Sequence, residues 1–385
     1  MTVQRTYRDL DPSLRLLLGP GPSMLPARVL RAMATPLVGH LDPDFVAIMA
    51  DVRELLRFVF QTRNELTLAV PGTGTSAMEA ALSNLIEPGD KVLACVHGYF
   101  GERLAEIAAR HGAVVRRLER PWGEVFDPDE IIREVAEGRP KLVTLVHAET
   151  STGALQPQIR AIADGCHEDD ALLVLDCVTS LGGVPVEVDA WDIDVAYSAA
   201  QKGLSAPPGL SPITVGERAL KVMARRKTPP PVFYLDLNLL DRYWSDKPVY
   251  HHTAPISTMY ALREALRLVQ EEGLSQRFVR HRQNAERLWK GLEDLDLALL
   301  VPPATRLVTL TTPLVPLGVD DGEVRKRLLE EFKIEIAGGF GPLAGKVWRI
   351  GLMGYSSQHE NVLLLLAAFE ELLHDREGSG KQRKP

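Results

Sequence analysis

Lys202 stands in Ser198-Ala-Ala-Gln-Lys202-Gly-Leu-Ser-Ala-Pro-Pro-Gly209, an amine among small residues at the mouth of a loop rich in glycine and proline. Such an amine, kept neutral by desolvation and by nearby positive charge, closes an imine onto an aldehyde. Upstream, Asp176 ends the apolar run Ala171-Leu-Leu-Val-Leu175. A carboxylate at the end of a strand can hold a pyridine nitrogen protonated, so that the ring withdraws electrons. A lysine taken alone is normally a solvated surface charge. The two residues together point to pyridoxal phosphate.

A second stretch, Val70-Pro-Gly-Thr73-Gly74-Thr75-Ser76, follows an apolar run and opens a helical one. Its backbone N–H groups and the positive end of the helix can cradle a phosphate. The full GxGxxG of a dinucleotide site and the GK[ST] of a P-loop are both missing. By itself the stretch fits a structural turn equally well. His251 and His252 lack metal-ligand spacing and neighbouring acidic ligands, so no metal site is expected. Glu79 and Glu149 lie too far apart in sequence to be read as an acid/base pair. Cys95 and Cys177 sit in apolar runs and read as core residues.

These groups belong to a chain of 385 residues, 45% hydrophobic and 25% charged, with a formal net charge of −7. That length accommodates a large and a smaller domain. The acidic balance argues against nucleic acid or a membrane surface as partner and favours small molecules. Three cysteines without CxxC or Cys/His spacing form no disulfide framework, which fits a reducing compartment. The charged start, Met1-Thr-Val-Gln-Arg-Thr-Tyr-Arg-Asp-Leu, lacks the apolar run of a signal peptide. No stretch reaches membrane-spanning length, so a cytoplasmic location is expected.

From about residue 64 short apolar runs alternate with helical stretches. The runs are Leu66–Val70, Lys91–Val96, Ala113–Val115, Leu142–Val146 and Leu172–Leu175; the helices cover 76–86, 102–111, 128–136 and 159–167. Such alternation predicts an α/β fold, a mainly parallel sheet sandwiched by helices, with sites gathering at the carboxyl ends of the strands. After Ser211–Val215, residues 254–295 carry helical periodicity broken near Gly273. Strands are expected at 307–310 and 347–350, and helices at 324–332 and 360–373. The reading is an N-terminal segment (1–22), a large domain (23–253), a small C-terminal α+β domain (254–374) and a solvated tail (375–385).

Across nearly its whole length the chain resembles the class V aminotransferases of fold type I, most closely the alanine–glyoxylate and serine–glyoxylate (serine–pyruvate) aminotransferases. The resemblance rests on Leu17-Leu-Gly19-Pro-Gly-Pro22-Ser, Gly72 to Leu82, His147-Ala-Glu-Thr-Ser-Thr-Gly153, Asp176-Cys-Val-Thr-Ser-Leu-Gly-Gly183, Ser198 to Gly209, Tyr250-His-His-Thr253 and Gly345-Lys-Val-Trp-Arg-Ile-Gly351. It implies a seven-stranded-type sheet and a pyridoxal 5'-phosphate enzyme passing amino groups from alanine or serine to glyoxylate or pyruvate. By the same likeness, Lys202 holds the cofactor and shuttles the α-proton, and Asp176 pairs with the ring nitrogen. Thr73, Gly74, Thr75 and Gln201 take the phosphate. Phe100 stands where many relatives stack a tryptophan, and Thr150 lies near cofactor and substrate. Arg349 clamps the substrate carboxylate through two parallel N–H bonds, although a structural salt bridge is the other reading of that arginine. Gly21, in the N-terminal segment, helps line the substrate pocket. Tyr250 and Thr253 are implied to enter a neighbouring subunit's site, which makes the active unit a homodimer. Thr75 departs from the histidine of mammalian-like alanine–glyoxylate enzymes. Two rival readings stand beside this one. The first is another class V enzyme, an aminoethylphosphonate or pyridoxamine transaminase or a lyase; desulfuration is disfavoured because the latter half of the chain has no cysteine. The second is a non-catalytic dimeric binding protein of the same fold.

Overall fold

The apolar runs of the first 215 residues lie side by side in one seven-stranded sheet. Its order is Leu66–Pro71, Leu210–Val215, Val195–Tyr197, Leu172–Asp176, Leu142–Val146, Lys91–Val96, Val114–Glu119. The computed structural model describes residues 9–379. Leu210–Val215 runs antiparallel to both of its neighbours; the other pairings are parallel. Parallel pairing needs crossovers, and the helices Gly74–Leu85, Tyr99–Arg110, Pro128–Gly138 and Ile159–Glu168 supply them. The interior strands Leu142–Val146, Leu172–Asp176 and Leu210–Val215 are buried along their length, as expected for a sheet covered on both faces. The edge strand Val114–Glu119 extends past the short run anticipated at 113–115, because its last residues, Arg116-Arg-Leu-Glu119, pair on one side while keeping their charges in solvent.

One apolar cluster joins the sheet to its helices and includes Phe45, Leu56, Leu68, Leu82, Leu145, Leu175 and Ile213. The helix Ile256–Glu272 packs Met259, Leu262 and Leu266 into this cluster, although it follows residue 253. A second cluster is built around Trp348 and Phe369, with Leu288, Leu328, Ile350 and Leu365. Leu18 belongs to this second cluster, and Leu16–Leu17 pairs in parallel with Ile334–Glu335, so the N-terminal segment is stitched to the C-terminal unit.

The long helical stretch breaks at Gly273 into Ile256–Glu272, on the sheet cluster, and Leu274–Asp294, whose Leu288 and Leu292 join the second cluster. The strand expected at 307–310 shrinks to Leu310–Thr311, which pairs with Ile350–Gly351. The Leu307 N–H leaves the ladder to bond Gly153 O at 2.9 Å. The last helix, His359–Ser379, runs into the first residues of the anticipated tail, whose remainder, 380–385, lies outside the described residues, as does the charged start 1–8. Among the described residues no helix is long and apolar enough to cross a membrane.

Candidate active site

The parallel strands all end on one edge of the sheet, and the loops leaving that edge bring the candidate residues together. Asp176 is the last residue of Leu172–Asp176 and is 2% exposed. One carboxylate oxygen accepts the Val178 N–H at 2.8 Å and the other accepts the Tyr197 hydroxyl at 2.7 Å. Tyr197 lies opposite Asp176 in the neighbouring strand, so the register itself sets that contact. Burial pushes the Asp176 carboxyl up to about 6, against the pull of these two donors. A carboxylate this enclosed, with hydrogen bonds but, among the described residues, no ion-pair partner, fits a protonated ring nitrogen as its counter-charge.

Lys202 follows the short strand Val195–Tyr197 through a buried turn. Its amine donates to the Pro20 carbonyl and its chain lies across Gly21. Burial, then the positive charge of Arg349, lowers the amine to about 8; Asp176 acts in the opposite direction. A minor but usable fraction of the amine is therefore neutral near physiological pH, which nucleophilic capture of an aldehyde requires.

Gly74, at the start of its helix, faces this pair. A β-carbon there would lie 3.2 Å from Ala199 Cβ and 3.3 Å from Val178 Cγ2, so the glycine lets the helix N-terminus approach the Asp176 and Lys202 loops. Thr73 is the N-cap residue but makes no side-chain cap bond, and Thr73 and Thr75 are exposed. Gln201 carries a side-chain oxygen that is buried without a hydrogen-bond partner. Helix-terminal N–H groups and two hydroxyls form a donor set suited to a phosphate, which the side-chain Nε2 of Gln201 would join; the unpartnered Gln201 atom itself, Oε1, is an acceptor.

Arg349 closes the other side and is 4% exposed. Nε donates to Gly338 O at 2.7 Å and Nη1 to Thr150 O at 3.4 Å. The guanidinium lies over the Phe340 ring, 3.7 Å from its centre. Among the described residues no carboxylate pairs with it, so the salt-bridge reading of this arginine does not hold. Burial lowers it to about 10, a value that still leaves it charged at neutral pH. A buried, oriented and unpaired guanidinium is a receptor for a carboxylate. The Thr150 hydroxyl bonds to the Thr179 hydroxyl.

Phe100 is the second residue of the helix Tyr99–Arg110, and its N–H donates to Glu149 Oε2 at 3.2 Å. Glu149, read from sequence as unremarkable, is fully buried and also accepts from Ser151 N at 3.0 Å and Ser151 Oγ at 2.7 Å. It ties the Phe100 loop to Thr150. Tyr197 and Phe340 escaped the sequence reading, and Glu149 was weighed there only as one of two carboxylates too far apart to pair. For Tyr197 a signal existed, an aromatic residue in the strand that leads into Lys202.

Tyr250 and Thr253 stand apart from this cluster. Tyr250 is 61% exposed with its ring 5.4 Å from that of His40, and Thr253 is exposed. His251 and His252 turn their Nδ1 atoms on each other at 2.8 Å. The three cysteines are free and buried, and burial raises the Cys95 and Cys177 thiols well above their ordinary range.

An enclosed lysine, a carboxylate at a strand end and a phosphate cradle, all on the carboxyl edge of a mainly parallel sheet, define a pyridoxal-phosphate enzyme. Comparison with known proteins specifies the family. The family described as aminotransferase class-V matches residues 15–363, and the chain belongs to it. It is 45% identical over 384 residues to the (S)-ureidoglycine–glyoxylate transaminase of Bacillus subtilis, covering 95% of this chain and 92% of that one. With the alanine–glyoxylate aminotransferase of Mus musculus it shares 43% over 370 residues, 95% of this chain and 89% of the relative. The crystal structure of an alanine–glyoxylate aminotransferase from Nostoc sp. superposes with a TM-score of 0.94 at 52% identity, covering 97% of this chain and all of the other. The protein is therefore an aminotransferase that uses pyridoxal phosphate.

Proposed function

We propose that this aminotransferase moves the amino group of a small L-amino acid, alanine or serine, to glyoxylate or pyruvate. Arg349 carries the reading: a guanidinium held by two backbone carbonyls and a phenyl face, with no carboxylate of its own, fits an α-carboxylate common to donor and acceptor. Relatives named for glyoxylate support the acceptor. The cofactor supplies an aldehyde that carries the amino group and a ring that accepts the electron pair released at the substrate α-carbon. Asp176, braced by Tyr197 and Val178, keeps that ring cationic. Lys202, neutral above about pH 8, would take the proton from the substrate α-carbon and deliver it to the carbon that was the cofactor aldehyde, within each half-reaction. Thr73, Gly74, Thr75 and Gln201 bind the phosphate, Phe100 covers the ring, and Thr150 and Gly21 bound the substrate space.

The active unit in this reading is a homodimer in which Tyr250 and Thr253 complete the partner protomer's site; their exposure beside Phe233 (68% exposed) and Val249 (47%) supports it. A cytoplasmic location is supported by three free, buried cysteines. A second reading keeps the acceptor and changes the donor to an amino acid bearing a ureido group on its α-carbon, favoured by the Bacillus relative. The test is a panel of alanine, serine and (S)-ureidoglycine against glyoxylate and pyruvate. Saturable glycine formation from glyoxylate with alanine or serine supports the first reading, and turnover confined to ureidoglycine supports the second. Ammonia release that does not depend on a keto acid would reject both.

A further inference from the structure

The groups assigned above to the cofactor phosphate, Thr73, Gly74, Thr75 and Gln201, are all neutral. A phosphate monoester brings about 1.5 to 2 negative charges at neutral pH, and a helix N-terminus offsets roughly half a charge. The site as assigned is short of positive charge on the phosphate side, because Lys202 is consumed by the aldehyde and Arg349 is reserved for the substrate.

Arg103 stands where that charge is missing. It lies in the first turns of the helix Tyr99–Arg110, and its Nη1 donates to Thr75 Oγ1 at 3.0 Å. The centre of its guanidinium is 5.1 Å from the Phe100 ring and 5.0 Å from the Tyr99 ring. Among the described residues no carboxylate pairs with it. Its neighbours differ, since Arg110 pairs with Glu106 and Arg117 with Glu102. The guanidinium thus bridges the residue placed at the phosphate and the residue placed over the ring, with its charge unmatched.

We propose that Arg103 is a cationic ligand of the cofactor phosphate, acting beside Thr75 and held in place by the Tyr99 and Phe100 rings. This rests on the reading of Thr73, Gly74 and Thr75 as the phosphate cradle. Its signature is selectivity for the phosphorylated cofactor over pyridoxal, which has the same ring and aldehyde but no phosphate.

The experiment titrates the apoprotein with pyridoxal phosphate and, separately, with pyridoxal, following the absorption of the bound chromophore. Arg103→Gln should weaken pyridoxal phosphate by about tenfold to a hundredfold, the size of one lost charge-assisted bond, while changing pyridoxal by no more than about twofold. Arg103→Lys, which keeps the charge and loses the fork, should fall between Arg103→Gln and the parent. Equal weakening of both ligands, or of neither, by Arg103→Gln would overturn the proposal, leaving Arg103 a packing partner of Phe100 or a surface charge. Thr73→Ala separates this failure from that of the cradle itself. If Thr73→Ala shifts the ratio and Arg103→Gln does not, the cradle stands and Arg103 is excluded. If neither shifts it, the phosphate binds elsewhere and both assignments fall.

Discussion

Gly21 lies so tightly against the Lys202 side chain that a β-carbon on it would stand 2.7 Å from Cδ and 2.8 Å from Nζ. Its φ of +112° adds backbone strain for any L side chain. Gly21→Ala is therefore expected to displace Lys202 and slow capture of the aldehyde. The fold should survive, with a stability loss of about 1–3 kcal/mol. Circular dichroism together with the rate of chromophore formation on adding pyridoxal phosphate checks it. A normal rate in the variant would mean that the lysine leaves Gly21 before it reacts.

The Asp176 carboxyl is raised to about 6 from an ordinary 3.8, so the native apoprotein holds this proton more tightly than the unfolded chain. Its stability accordingly falls as pH rises through that window, by about 3 kcal/mol in total. Asp176→Asn removes the penalty. The apo variant should be more stable than the apo parent at about pH 8 and match it below about pH 4. With the cofactor bound the order should reverse. Urea denaturation of both forms at the two pH values measures this.

Lys202 at about 8 predicts that cofactor capture speeds up with pH and levels off above that value. Because Arg349 helps to lower the amine and Asp176 to raise it, Arg349→Ala should move the midpoint to higher pH and Asp176→Asn to lower pH. Stopped-flow absorbance across the range from about pH 6 to 10 reads both directions. Shifts of the same sign in the two variants would contradict the electrostatic assignment.

Arg349→Ala should cost about 2–5 kcal/mol in kcat/KM for every α-carboxylate substrate. Phe340→Ala, which removes the face under the guanidinium, should cost about 0.5–2 kcal/mol, mostly in KM. Steady-state kinetics with alanine and glyoxylate decides. An unchanged specificity constant in Arg349→Ala would place the clamp on another residue.

The fold was legible because burial on both faces makes the interior strands continuous apolar runs, and Leu142–Val146 and Leu172–Asp176 are found where those runs stand. Val114–Glu119 was harder to read, since an edge strand keeps charged residues that break the run. Lys202 and Asp176 announced themselves through local context. Glu149 and Phe340 did not, because their roles come from contacts across the chain, to the Phe100 loop and to Arg349, that no local pattern encodes. Arg103 was hidden in the same way: its position four residues past Tyr99 says nothing of Thr75, 28 residues earlier, until the strand Lys91–Val96 brings the two helix starts to one edge.

The central claim is that one amine, Lys202, bonds the cofactor. Borohydride reduction of the protein loaded with pyridoxal phosphate, followed by peptide mapping, tests it most directly. The account predicts a single stable adduct on the peptide Ser198 to Gly209, at Lys202, and none in Lys202→Ala. An adduct on any other lysine of the parent, or the same adduct yield in Lys202→Ala, would contradict it.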